Sequence, residues 1–161
     1  MKIIENFLSQ KNLEQIQRHI LGDNFPWYYI AHVATARDNK SFYFIHKLIE
    51  NRSQSSEWLT LFHPIMGKLN YSTFIRMRAN LYTKKEKEIP DDFHVDINNS
   101  DDHTTGIFYV NTNNGYTLFK SGEKVESVEN RLVLFEGTEQ HCSVAQTDTK
   151  TRVVINVNFN K

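Results

Sequence analysis

Two stretches of eleven and nine residues near either end of the C-terminal half separate their side chains onto two faces, and this limits the folds open to the chain. In TFIRMRANLYT, Ile75, Met77, Ala79 and Leu81 alternate with Arg76, Arg78, Asn80 and Tyr82. In TRVVINVNF, Thr151, Val153, Ile155, Val157 and Phe159 alternate with Arg152, Val154, Asn156 and Asn158. Alternation with period two places each set on one face of a strand. The apolar faces are expected to pack on N-terminal helices, and the faces carrying Arg, Asn and Tyr to look inward. A polar interior is costly unless ligand, ion or water fills it, so a binding cavity is favoured over a solid core.

Between these stretches lie FHVDI, TTGIFYVN, YTLFK, VESV, RLVLF and HCSVAQ, separated by Asn-, Gly- and Asp-rich turns such as TNNG, SGEK and TDTK. Short strands with no intervening helical pattern predict a sandwich or jelly roll rather than a parallel sheet. The first third reads as helix and loop. Ser9 opens a stretch with Leu13, Ile16, Ile20 and Leu21 at helical spacing, stopped by Gly22. The run after Ser53 offers hydroxyl caps ahead of Trp58, Leu61 and Phe62, and Pro64 either kinks that helix or begins a new one.

At 161 residues the chain is long enough for one domain with a sizeable core. Lys+Arg 19 balances Asp+Glu 19, so no basic excess points to nucleic acid. No stretch reads as a signal peptide or membrane span. The single cysteine, Cys142, excludes an internal disulfide and is read as a small buried residue in a reducing cytoplasm.

His94-Val95-Asp96, the later His141, and Arg152 carry the chemistry. His94 and Asp96 are two apart and project from one face of an extended segment. A His from a later strand would complete a three-point cap on an octahedral metal. The three positions left open suit a non-haem Fe(II) that also holds a chelating cosubstrate and dioxygen. Zinc accepts the same ligands, but no Glu is placed as a general base and Arg152 would have no task. Arg152 sits where a returning strand brings its planar fork back towards the metal, matched to a carboxylate. His103 lies in a polar turn segment and is read as solvent-exposed. His19, His32, His46 and His63 lack ligand spacing and are read as structural or surface residues.

In this arrangement the chain resembles the Fe(II)/2-oxoglutarate-dependent dioxygenases, most of all the small prolyl-4-hydroxylase-type branch of bacteria and bacteriophages. The resemblance covers roughly residues 72–160, with a weaker match at IIENFLSQKNLEQIQ. It implies an α+β chain: a double-stranded β-helix of the jelly-roll or cupin type over 72–160, backed by a mainly helical support over 1–70, as one domain over 1–161. It implies Fe(II) on His94, Asp96 and His141, with no catalytic residue beyond the metal centre. Arg152 would bind the far carboxylate of 2-oxoglutarate. The resemblance carries further cosubstrate contacts to Tyr82, Tyr109 and Thr105, and Asn80 is grouped with them. Arg78 and Asn156, inward by alternation, are candidates to touch substrate or to orient a ligand; Asp101 and Asp102 are possible partners of Arg78. Dioxygen would be the oxidant and ascorbate a supporting reductant.

The substrate class so implied is an amino acid or a prolyl-type peptide, oxidised with release of succinate and CO₂. Asp96 fills the position that a halogenase would leave for halide, which favours hydroxylation. The readings set against this are a non-catalytic jelly-roll module that retains a metal site, and an oxygenase acting on a nucleobase or other small metabolite. The charged loop 83–93 is a candidate lid. Oligomeric state is not legible.

Overall fold

The computed structural model describes residues 1–31, 42–98 and 102–161; His32 and Asp101 lie outside them. Strand β1 (Lys2–Ile4) leads into helix α1 (Gln10–Ile20), followed by β2 (Tyr28–Ile30), β3 (Tyr43–Glu50) and β4 (Ser53–Gln54). A 3-10 segment, Glu57–Phe62, and a short helix α2 (His63–Met66) precede the long strand β5 (Thr73–Thr83). Then come β6 (Thr104–Tyr109), β7 (Tyr116–Phe119), β8 (Lys124–Glu126), β9 (Arg131–Glu136), β10 (His141–Val144) and β11 (Thr151–Asn160).

Ser9 caps α1 as its sequence requires, its hydroxyl accepting from the Asn12 N–H, and Leu13, Ile16 and Ile20 form the buried stripe. Ser56 caps the 3-10 segment, and Pro64 falls in the first turn of a new helix rather than kinking the old one.

The strands form two sheets. The larger has the order β1-β9-β6-β11-β5-β3-β2, with β4 paired to β3, and the smaller has the order β10-β7-β8. The pairs are antiparallel throughout. Isolated bridges Pro90–Val144 and His94–His141 add the segment before Val95 to the edge of the smaller sheet. The two sheets facing one another, with β5 and β11 side by side, make the expected double-stranded β-helix.

The outer face of the large sheet carries the main core, in which Met77, Ala79, Val153, Ile155, Val157 and Phe159 meet Leu13, Ile16, Ile20, Leu59 and Phe62. Between the sheets a second cluster contains Tyr82, Ile107, Tyr109, Phe119, Val133, Phe135 and Val154.

The fold departs from the sequence reading in four places. The support over 1–70 is not mainly helical: Tyr43–Glu50 is a strand, because its aromatic and branched residues pair with β5 and extend the large sheet. FHVDI forms no strand, only the single bridge at His94. Ile75 is displaced by a bulge opposite Asn158/Phe159, so Phe74 takes its place in the core and pairs with Phe159. His103 is buried, not exposed; its ring occupies the space that a Cβ on Gly137 would fill.

Candidate metal centre and anion pocket

The antiparallel register of β5 and β11 sets Tyr82 opposite Arg152, Asn80 opposite Val154, Arg78 opposite Asn156 and Arg76 opposite Asn158. This inward ladder floors the cavity. The segment carrying His94 and Asp96 closes it from one side, and β10 with His141 from another.

His94 and His141 exchange both backbone hydrogen bonds at 3.0 Å, which brings their rings side by side with centroids 4.9 Å apart and planes tilted by 44°. Each ring turns its Nδ1 to a carbonyl two residues back, His94 to Asp92 O and His141 to Glu139 O, both at 3.1 Å. A carbonyl accepts only, so each Nδ1 carries a proton, and in the neutral ring the lone pair is then on Nε2. His94 Nε2 lies 3.9 Å from Asp96 Oδ1, and ligand atoms of His94, Asp96 and His141 all fall within 4.8 Å of one another. Two imidazoles and a carboxylate so converged fit a divalent metal. Burial pushes the His141 pKa down, which keeps this lone pair available at neutral pH.

Asp96 is gripped by residues that the sequence placed on the inward faces without assigning a role. Arg76 donates from Nη1 to Asp96 O and lies 2.8 Å from Oδ1 through Nη2. Its Nε donates to Asn158 Oδ1, while Asn158 Nδ2 donates to Asp96 Oδ2 at 3.1 Å. Burial alone would raise the Asp96 pKa; Arg76, with His141, Asn158 and His94 after it, outweighs burial and holds the carboxyl down at about 2.

Arg152 is 1 % exposed. Its guanidinium donates to Ser127 Oγ at 2.6 Å, Ser143 Oγ at 2.7 Å and Thr117 Oγ1 at 3.4 Å, and lies over the rings of Tyr82 and Tyr109. Among the described residues it has no carboxylate partner. A buried cation answered only by hydroxyls and aromatic faces is poorly compensated, and a small carboxylate ligand fits the need. Gly115 makes the space: a Cβ there would stand 2.8 Å from Arg152 Cδ and 2.9 Å from Val144 O.

Tyr109 donates to Thr117 Oγ1 at 2.8 Å beside the guanidinium. Tyr82 stacks on Tyr43 with centroids 5.6 Å apart. Burial raises the pKa of both Tyr82 and Tyr109, so their hydroxyls remain donors. Thr105 is placed elsewhere than expected: opposite Asn158, its Oγ1 accepting from Asn158 Nδ2 at 2.9 Å, behind Asp96 rather than beside Arg152. Arg78 is engaged by Glu50 on the neighbouring strand, through Nε to Oε1 and Nη2 to Oε2. The Asp102 carbonyl accepts from Asn160 Nδ2 at 2.8 Å. Asn80 Oδ1 and Asn156 Oδ1 are buried with no hydrogen-bond partner among the described residues.

Two neighbouring chambers result. The inner, about 20 Å³, reaches Arg152, Ser143 and His141; the outer, about 240 Å³, is bounded by Tyr43, Arg76, Arg78, Asn80 and Asp96. Tyr82, His94 and Asn156 belong to both. The loop 83–93 is tied at its ends, where Lys84 and Lys85 donate to Lys150 O and Gln146 O, and Asp91 to Ser143 O. Cys142 is buried, and burial raises its thiol to about 11.

No family model matches the sequence, and no curated protein matches it. Solved structures do match the fold. A Pseudomonas putida prolyl-4-hydroxylase superposes with a TM-score of 0.61 at 15% identity, over 99% of this chain and 92% of its own. A Trichoplax adhaerens prolyl hydroxylase, solved in complex with a hypoxia inducible factor oxygen degradation domain peptide fragment, gives 0.64 at 14% identity over 99% and 82%. The non-haem α-ketoglutarate-dependent epimerase SnoN from nogalamycin biosynthesis gives 0.65 at 10% identity over 98% and 76%. The fold is that of the 2-oxoglutarate/Fe(II) oxygenases, prolyl-4-hydroxylases among them.

Proposed function

We propose that the chain is a single-domain Fe(II)- and 2-oxoglutarate-dependent dioxygenase that hydroxylates a C–H bond of an amino-acid or peptidyl substrate. One observation carries this reading: the convergence of His94, Asp96 and His141 beside a buried guanidinium, Arg152, that has no acidic partner among the described residues. The fold shared with prolyl-4-hydroxylases and other 2-oxoglutarate oxygenases supports it.

When bound, Fe(II) and 2-oxoglutarate supply the oxidising chemistry, in which the oxo acid, dioxygen and R–H become succinate, CO₂ and R–OH. The chain's own residues bind and orient. His94 and His141 offer Nε2, fixed by their Nδ1–carbonyl bonds. Asp96 is kept ionised by Arg76 and aimed by Asn158. Arg152 would take the far carboxylate of 2-oxoglutarate, exchanging hydroxyl partners for a charged one, with Tyr109 and Tyr82 against it. Among the described residues no helix is long and apolar enough to cross a membrane; a cytoplasmic location is proposed on the single buried thiol.

The test is incubation with Fe(II), 2-oxoglutarate and ascorbate without added substrate, following succinate. Slow succinate formation that requires both iron and dioxygen is expected. Metal binding with no succinate under any substrate panel would instead favour a non-catalytic binding module.

A further inference from the structure

The outer chamber is unusual in what it leaves unsatisfied. Asn80 and Asn156 are 6% and 9% exposed, both line the chamber, and the carbonyl oxygen of each lacks a partner among the described residues. An orphaned buried amide oxygen is costly, so two together call for a ligand rich in hydrogen-bond donors. They sit on adjacent strands and diagonal in register, since Asn156 is opposite Arg78 and Asn80 is opposite Val154; such neighbours are roughly 7–8 Å apart, within reach of one small molecule.

Arg78 stands beside them. Glu50 engages its Nε and Nη2, which leaves N–H groups of its five-donor fork for another acceptor. Arg76, by contrast, spends Nε, Nη1 and Nη2 on Asn158 and Asp96. The chamber thus presents one guanidinium edge able to take a carboxylate, next to two amide oxygens able to take N–H donors. Val95 is its only aliphatic wall residue among those described, and at about 240 Å³ it is smaller than the usual drug-sized pocket. A prolyl residue inside a peptide brings neither an N–H nor a charge, and it would bury both amide oxygens without answering them.

From this geometry we propose that the primary substrate is a free α-amino acid, its carboxylate held by Arg78 and its ammonium by the amide oxygens of Asn80 and Asn156, with its side chain turned towards the metal triad. The proposal rests on the oxygenase reading above and narrows it from peptide to free zwitterion.

The experiment uses the full chain loaded with Mn(II), which binds oxygen ligands like Fe(II) without turnover, and with 2-oxoglutarate. Binding of the common free L-amino acids, of their carboxamides, and of a proline-rich peptide is measured by thermal shift and then by calorimetry. At least one free amino acid is expected to bind, with its carboxamide at least about tenfold weaker. Arg78→Gln should weaken that amino acid about tenfold or more and leave 2-oxoglutarate affinity within about threefold. Asn80→Leu should also weaken it, while raising the Tm of the ligand-free protein by roughly 2–4 °C as the orphaned amide is removed. The Asn80 variant and the carboxamide comparison decide the matter if Arg78→Gln does not fold. Tighter binding of the peptide than of any free amino acid, equal binding of acid and carboxamide, or no amino-acid binding by a protein that does bind 2-oxoglutarate would each overturn the proposal alone. Failure to bind 2-oxoglutarate would overturn the oxygenase reading, and the proposal with it.

Discussion

Replacing Arg76 by Met should weaken the pH dependence that Asp96 gives to the metal-free protein. In the wild type Asp96 is 5% exposed and its pKa is lowered from 3.8 to about 2, with burial opposing and Arg76 the largest group lowering it. A folded-state pKa below the unfolded one stabilises the protein above the unfolded pKa, and this contribution is lost as pH falls through the folded value. The gap is just under two pH units, worth about 2–3 kcal/mol, present above roughly pH 4–5 and gone by about pH 2. Without the guanidinium the largest group opposing burial is gone and the pKa rises, so Asp96 contributes less stability through that window. The difference between wild type and Arg76→Met should therefore grow from near zero at about pH 2 to about 3–5 kcal/mol at neutral pH, the cost of breaking a buried ion pair. Urea unfolding of both proteins across this range reads it directly. A difference that does not change with pH would mean that Arg76 acts through packing alone and that Asp96 is not held by it.

Arg152→Gln should raise the 2-oxoglutarate requirement on the order of ten- to a hundredfold, the worth of a charge-assisted contact, with iron affinity little changed; Arg152→Lys should fall between, and Tyr109→Phe should shift the requirement less, as measured by succinate formation against cosubstrate concentration. Gly115→Ala drives a methyl against Arg152 Cδ and Val144 O, so both the cosubstrate requirement and the stability should suffer, the latter by about 1–3 kcal/mol in urea unfolding. Asn130 sits at φ 62 and ties down the N-terminal segment, accepting from Leu8 N–H at 2.7 Å and donating to Leu8 O at 2.9 Å; Asn130→Ala should cost about 2–4 kcal/mol, with metal binding by the folded protein unaffected.

The inward ladder of β5 and β11 is legible because alternation needs only the local sequence: Arg76, Arg78, Asn80, Tyr82, Arg152, Asn156 and Asn158 share the face that period two assigns them. What alternation does not give is pairing across strands. That Arg76 and Asn158 converge on Asp96, while Arg78 turns to Glu50, follows from the register of three strands and from a loop that joins none of them in sequence. Ser127, Ser143 and Thr117 around Arg152, and Tyr43 on Tyr82, are equally silent in the sequence, being common residues on short strands or loops. Tyr43–Glu50 is hard to read as a strand because it is buried on both faces over most of its length, which hides the period. The burial of His103 depends on Gly137, thirty-four residues on, having no side chain.

The measurement that bears most directly on the metal centre is an anaerobic titration of Fe(II) into the protein with and without 2-oxoglutarate, following the visible charge-transfer absorption of an iron-chelated 2-oxo acid. The wild type should develop this band only with both components present. His94→Ala, Asp96→Ala and His141→Ala, each checked for an intact fold by circular dichroism, should fail to develop it, and Arg152→Gln should develop it only at higher 2-oxoglutarate. A band that persists unchanged in the His94 or His141 variant would show that iron is held elsewhere and that the triad is not the metal centre.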